Sequence, residues 1–206
     1  MKMKHLAFTL VTAVLALGAV GAAQAADPMF VVKVGIADVE PKSDNGALAG
    51  YQSEISNSVR PSITGEYMIT PELGIELLAA WPFHNDVKLA SVGTVGGVDV
   101  LPPTLSLQYH FLPNWIVSPF VGAGINYTFI YNARAKGIIE GHDLGVDNSW
   151  GFAAHAGVDF NLPHNWLITA DIRWIQMGGD VTLDGEKIGS VNINPWVWGL
   201  SVGYRF

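Results

Sequence analysis

Ten charged or titratable side chains fall on one parity of the alternating segments of this chain: Lys33, Arg60, Glu66, Glu76, His110, His155, Asp159, Asp171, Arg173 and Arg205. Three chemistries are open to such a set. Mutual pairing makes a structural plug, because charges taken out of water must be neutralised or hydrated. Incomplete pairing leaves a polar ion path. A histidine–carboxylate couple, His155 with Asp159, makes a general acid and base. The spacing of that couple weighs against catalysis. Four residues along a strand share a face but stand ~13 Å apart, and no nucleophile is placed beside them. The plug is the expected arrangement, and no covalent chemistry is expected.

Two further sets lie between the alternating segments. His84, Asp86, His142, Asp143 and Asp147 are ligand types for a metal ion. Their spacing matches no known site, so solvated loop polarity is expected and no metal. Trp81, Phe83, Leu89, Val92, Val95, Ile138, Ile139 and Leu144 are numerous for exposed loops. They would line an apolar cup around a ligand, or pack among themselves. No helix-opening G-x-x-x-x-G-K is present to cradle phosphate. With no cysteine in the chain, disulfides, zinc–thiolate sites and cysteine nucleophiles are excluded. No cofactor is indicated.

The elements that must position these residues read as eight alternating segments: 30–38, 59–69, 73–80, 103–111, 117–131, 149–160, 166–176 and 196–206. Successive side chains of a strand point to opposite faces. In the last segment Trp196, Trp198, Leu200, Val202, Tyr204 and Phe206 form one greasy, aromatic-rimmed face, opposed by Gly199, Ser201, Gly203 and Arg205. In the fourth, Leu105, Leu107, Tyr109 and Phe111 oppose Thr104, Ser106, Gln108 and His110. Soluble sheets bury the bulky face, but here the small and charged faces cannot form a core. An outer-membrane β-barrel turns the bulky face to lipid and sets its aromatics at the bilayer interfaces. On that register a cation at Leu107 meets lipid, and one at Gln108 meets the lumen and is expected to be mild.

The connections alternate in length. Thr70-Pro71-Glu72, Leu112-Pro113-Asn114 and Leu162-Pro163-His164-Asn165 are tight turns, where proline sets φ and owes no ladder hydrogen bond. The links 39–58, 81–102, 132–148 and 177–192 are long. Short turns at one end and long loops at the other give a barrel with periplasmic termini and extracellular loops. Eight strands close the sheet and leave no edge.

Composition agrees. The chain is half apolar and only 14% charged, yet past its start it has no run of ~18 apolar residues. Lys2 and Lys4, an apolar stretch over 6–20 and Ala23-Gln24-Ala25 read as a cleaved secretory signal peptide over 1–25. The domain is then 26–206, about 180 residues. Without the two leader lysines it carries nine basic against eighteen acidic residues, which excludes a nucleic-acid partner.

The chain resembles the OmpW family of small outer-membrane proteins. The resemblance rests on Gly74-Ile75-Glu76-Leu77-Leu78-Ala79-Ala80-Trp81-Pro82-Phe83, on Leu101-Pro102-Pro103-Thr104-Leu105-Ser106-Leu107-Gln108-Tyr109 and on Pro119-Phe120-Val121-Gly122-Ala123-Gly124-Ile125-Asn126-Tyr127-Thr128. It rests also on Asp147-Asn148-Ser149-Trp150-Gly151, on Pro195-Trp196-Val197 and on Gly203-Tyr204-Arg205-Phe206. It implies an eight-stranded transmembrane β-barrel in a Gram-negative outer membrane, surrounded by lipid and lipopolysaccharide. Its lumen would serve small hydrophobic solutes, with alkane uptake in some members and bacteriocin reception in others. A terminal aromatic such as Phe206 resembles the signal read by the barrel-assembly machinery. The family narrows its lumen with an inward leucine on the third strand and an inward tryptophan on the seventh. Leu78 matches the first, but Arg173 stands at the second. Leu78, Arg173, Trp81 and Phe83 are therefore the expected ligand and constriction residues. Lys33, Arg60, Glu66, Glu76, His155, Asp159, Asp171 and Arg205 are the expected lumen charge network.

Overall fold

Alternation over about ten residues builds a strand whose two faces can meet different media. The computed structural model describes residues 30–43, 45–89 and 92–206. All eight expected segments are strands in it; the expected leader, 1–25, lies outside the described residues. In chain order the strands are β1 (Phe30–Glu40), β2 (Ala47–Leu48), β3 (Tyr51–Ile55), β4 (Ser58–Met68), β5 (Leu73–Ala80), β6 (Phe83–Leu89), β7 (Gly93–Leu101), β8 (Thr104–His110) and β9 (Val117–Ala135). A one-turn helix at Gly137–Ile139 precedes β10 (Leu144–Val146), β11 (Ser149–Asn161), β12 (Trp166–Ile175), β13 (Gly178–Leu183), β14 (Glu186–Asn192) and β15 (Trp196–Arg205).

Eight of these, β1, β4, β5, β8, β9, β11, β12 and β15, form an antiparallel ring in which each pairs with the next and β15 returns to β1. Val34, for instance, is paired with Ile63 on one side and Val202 on the other. The Phe206 amide donates to the Phe30 carbonyl, tying the end of β15 to the start of β1. No described helix is long and apolar enough to cross a membrane.

Burial follows the predicted parity. Along β8, Leu105, Leu107 and Tyr109 are exposed while Thr104, Ser106, Gln108 and His110 are buried. Trp150 is 71% and Phe152 69% exposed. Rings so placed in a closed barrel belong against hydrocarbon and headgroups, where aromatic girdles form. One girdle, near the short turns, holds Tyr109, Phe111, Trp166, Tyr204 and Phe206, in contact as edge-on neighbours.

The structure departs from the sequence reading in the long connections. They are not irregular loops. β2, β3, β6, β7, β10, β13, β14 and the upper part of β9 stand on the barrel as a collar, ordered β10-β13-β14-β2-β3-β6-β7-β9. β9 continues past the expected stop at Tyr131 to Ala135, pairing there with β7. Asn132, which reads as a loop residue, has φ 51° inside this strand, beside a break in register between Gly97 and Asp99. Asparagine tolerates the left-handed region, so it marks a bulge here and not an end.

The interior is zoned. The lower lumen is polar. Its upper part, Ala37, Val39, Ala80, Phe83, Val100, Ile175, Met177, Ile193 and Val197, is a buried apolar cluster. The expectation of a uniformly small or charged inner face therefore fails above Leu78, where the strands rise into the collar and close over one another.

Leu107→Arg, on the lipid face, is expected to destabilise the barrel by about 2–4 kcal/mol, and Ile116→Arg, in a periplasmic turn, by about 0–1 kcal/mol. Equilibrium unfolding in lipid vesicles measures both.

Candidate functional site

The inward charges meet in two tiers. In the upper one the Arg173 guanidinium grips Glu76 with both ends, Nη1–Oε1 2.6 Å and Nη2–Oε2 3.3 Å, and donates Nε to Asp171 Oδ2 at 2.6 Å. In the lower tier Lys33 Nζ lies 3.6 Å from Glu66 and 3.5 Å from Asp159. His110 bridges the same two carboxylates, Nε2 at 2.9 Å from Glu66 and Nδ1 at 3.5 Å from Asp159. Gln108 joins Glu66, and His155 Nε2 donates to Gln108 Oε1 at 2.9 Å. Thr169 donates to Asp159, and Arg205 reaches it at 3.8 Å from the periplasmic mouth. Lys33, Glu66, Glu76, His155, Asp159 and Arg173 are all buried. His155 and Asp159 keep separate partners.

Phe120 is the apolar centre of this network. Lys33 Nζ lies 5.1 Å from its ring centroid, and His110 and His155 flank it at 5.5 and 6.0 Å. Large groups fit because small ones face them. A Cβ at Gly122 would collide with the His155 imidazole, and one at Gly199 with the Asp171 carboxylate. The glycines therefore make room for the plug. Gln108, expected to face open lumen, is fully buried between Glu66, His110 and His155. An arginine there would have no space, and the expected mildness of that change is withdrawn.

Not every predicted residue joins. Arg60 stands apart, its guanidinium reaching, among the described residues, only the neighbouring Val59 carbonyl. Leu78 is buried directly above the upper tier and shares a small lumenal recess with Arg173. Phe83 lies higher, in an apolar throat with Leu78, Val100 and Ile193. Trp81 lines neither. It is 53% exposed on the outer surface, because β5 alternation continues through it and sends odd positions outward.

Above the throat the collar encloses a cavity of about 180 Å³. All eight collar strands contribute, among them Leu48, Ile55, Val87, Val98, Ile130, Leu144, Val181 and Val191. Every lining residue is aliphatic except Tyr51. Leu89, Val92, Val95, Ile138, Ile139 and Leu144 are there as the sequence suggested. The collar strands were missed because each is short, and a few alternating residues between turns do not stand out from loop.

The polar loop residues brace the outside of this collar. His84 Nδ1 lies 2.9 Å from Asp99, Lys136 donates to Asp86 at 2.8 Å and His142 lies 2.6 Å from Asp184. The hydrogen bond from Lys136 holds Asp86 below the usual carboxylate range. The first two are linked, His84 Nε2 lying 3.7 Å from Asp86, and the third joins the approach to β10 with the β13–β14 turn; no group able to hold a metal occurs among the described residues.

An eight-stranded barrel with a collar, an apolar cavity and a charged plug can be compared with known proteins. Residues 26–206 match the OmpW family. The chain belongs to this family. It is 35% identical over 191 residues to outer membrane protein W of Salmonella typhi, spanning 86% of this chain and 88% of that one. The crystal structure of outer membrane protein OprG from Pseudomonas aeruginosa aligns with a TM-score of 0.78 at 26% identity, over 87% of this chain and 97% of OprG. The dibenzothiophene metabolism operon protein PahQ of Pseudomonas aeruginosa is 25% identical over 148 residues, 68% of each chain. The OmpW-family barrel resides in the outer membrane of Gram-negative bacteria, so the exposed apolar belt faces lipid.

Breaking one partner of a buried ion pair strands the other charge, at a cost of about 3–5 kcal/mol. Arg173→Leu, which strands both Glu76 and Asp171, is expected to lose that much against urea. Adding Glu76→Leu is expected to recover only part of it, because Asp171 stays unpaired, and a double-mutant cycle reads the coupling.

Proposed function

We propose that this barrel takes small hydrophobic molecules from the cell exterior into its apolar cup and delivers them to the outer membrane. The observation that carries the reading is the cup itself. An apolar cavity of about 150 Å³ stays dry and takes up benzene, and this one, about 180 Å³ with an aliphatic wall, is of that class. The relative PahQ bears a name tied to metabolism of dibenzothiophene, an apolar aromatic compound.

The way out is sideways. Passage straight down would strip Glu76, Asp171 and Arg173 of their partners inside the barrel, a desolvation without compensation. The seam between β5 and β8 offers less resistance. Its ladder stops at Leu78 with Thr104, although β4 continues to pair β5 up to Ala80. Opposite the unpaired end stand Pro102 and Pro103, which have no N–H to donate. Pro102, Leu78 and Ala80 line the throat, and the exposed Trp81 flanks the seam on the lipid side.

Export in this reading begins with a signal peptide, 1–25, cleaved after Ala25, and assembly uses the barrel machinery, which reads the aromatic end of β15. Lipopolysaccharide and lipid surround the belt, and the collar is the surface a bacteriocin would meet. A second reading, a receptor or structural barrel with an occluded lumen, is favoured by the plug alone. Solute uptake separates the two.

Arg173→Trp is expected to leave uptake of apolar solutes into barrel-bearing liposomes nearly unchanged and to lower any ion conductance. Leu78→Asp is expected to weaken apolar uptake by polarising the throat. Uptake that collapsed in Arg173→Trp while Leu78→Asp behaved as the parent would exclude lateral exit. Deleting Phe206 is expected to reduce the fraction of chain that migrates as folded barrel in unboiled SDS gels.

A further inference from the structure

Three asparagines are buried among the described residues: Asn45, Asn85 and Asn126. Two are fully used. Asn45 donates to the Asn192 carbonyl and accepts from the Ile55 amide, locking β3 and β14 in the cup wall. Asn126 donates to Pro103 and Thr104 and accepts from Thr128. Asn85 is different. It is 4% exposed, and its Oδ1 has no hydrogen-bond partner.

Its position gives this meaning. Along β6 the inward residues are Phe83, Asn85 and Val87. Phe83 and Asn85 line the throat, and Val87 lines the cup. Asn85 pairs across the ladder with Val98, another cup residue. The amide thus sits at the neck between the two cavities, among the described residues the one polar side chain lining an otherwise apolar throat. A buried acceptor left unmatched costs about 1–3 kcal/mol, and a carboxamide offers both a donor and an acceptor end.

We infer that Asn85 is a specificity residue which reads a neutral hydroxyl on the ligand, so that the cup takes small amphiphiles, apolar in body and alcoholic at one end, in preference to plain hydrocarbons. The inference rests on the apolar-cup reading and names the ligand class within it. A hydroxyl answers both ends of the amide. A charged head finds no counter-charge in the throat, and its burial there is uncompensated. An alkane covers the amide without replacing its hydration, which loses affinity. An alcohol replaces it.

The test uses the full barrel in lipid nanodiscs, with isoleucine methyls labelled so that Ile130 and Ile193 report the cup and neck. n-Octane and 1-octanol are titrated, with affinities referred to the solute in the lipid phase. The expected result is that 1-octanol binds about tenfold tighter than n-octane and moves the Asn85 side-chain nitrogen resonance, whereas n-octane does not. In Asn85→Leu, n-octane binds at least as well as in the parent and the preference for octanol disappears. Unboiled gel migration confirms that the variant is folded, and the nitrogen resonance of the parent decides the matter without any variant. Equal affinities, a silent Asn85 resonance or a preference that survives Asn85→Leu would overturn the hydroxyl reading and leave the cup standing. Isoleucine methyls that respond to neither solute would overturn both.

Discussion

The width of an eight-stranded barrel governs this molecule. Such a ring encloses just enough space for side chains to fill it, so whatever faces inward must satisfy itself. Here the lower lumen holds a cluster of ions, and they solve the problem by mutual contact: two carboxylates around Lys33 and His110, two more around Arg173. The glycine faces, the central Phe120 ring and the closed axial route all follow from fitting that cluster into so small a bore. A buried network of this kind is weak evidence for net stability. Its clearer effect is to forbid an axial path to any ligand that cannot replace its hydrogen bonds.

Above the plug the same alternation is put to another use. The inward face turns apolar at Ala80 and Phe83, and the collar carries that change upward with its charged groups outside, as His84–Asp99 and Lys136–Asp86, and Asn85 left facing in at the neck. Apolar space that would be a hazard in an open loop is thereby walled by hydrogen-bonded backbone. The two zones meet at Leu78, the last apolar residue before the charges, and the β5–β8 seam weakens at that same level.

Much of the barrel was legible in the sequence because period-two alternation needs only residue type. Leu105 and Gln108 declare their faces without any knowledge of neighbours. Which inward charges meet is a matter of register across strands, and that was not legible. Nothing local joins Glu76 to Arg173, 97 residues apart in sequence, or separates Arg60 from both. Trp81 misled because the alternation of β5 carries one residue past the strand's end at Ala80 and keeps the ring on the outer face. Asn132 misled because a left-handed asparagine inside a bulged strand and one in a loop have the same signature. Asn85 carried no signal at all, since its significance is the absence of a partner.

β9 belongs to both zones. Over its lower course it is paired with β8 and β11, and over its upper course with β7. Membrane ring and collar are therefore threaded on one continuous ribbon, and their angular setting is not free. A change in the collar's setting is therefore tied through this ribbon to the membrane ring, with Asn132 the one residue of β9 outside regular extended geometry. Base and rim are thus one piece of sheet, joined where Asn132 leaves the regular strand.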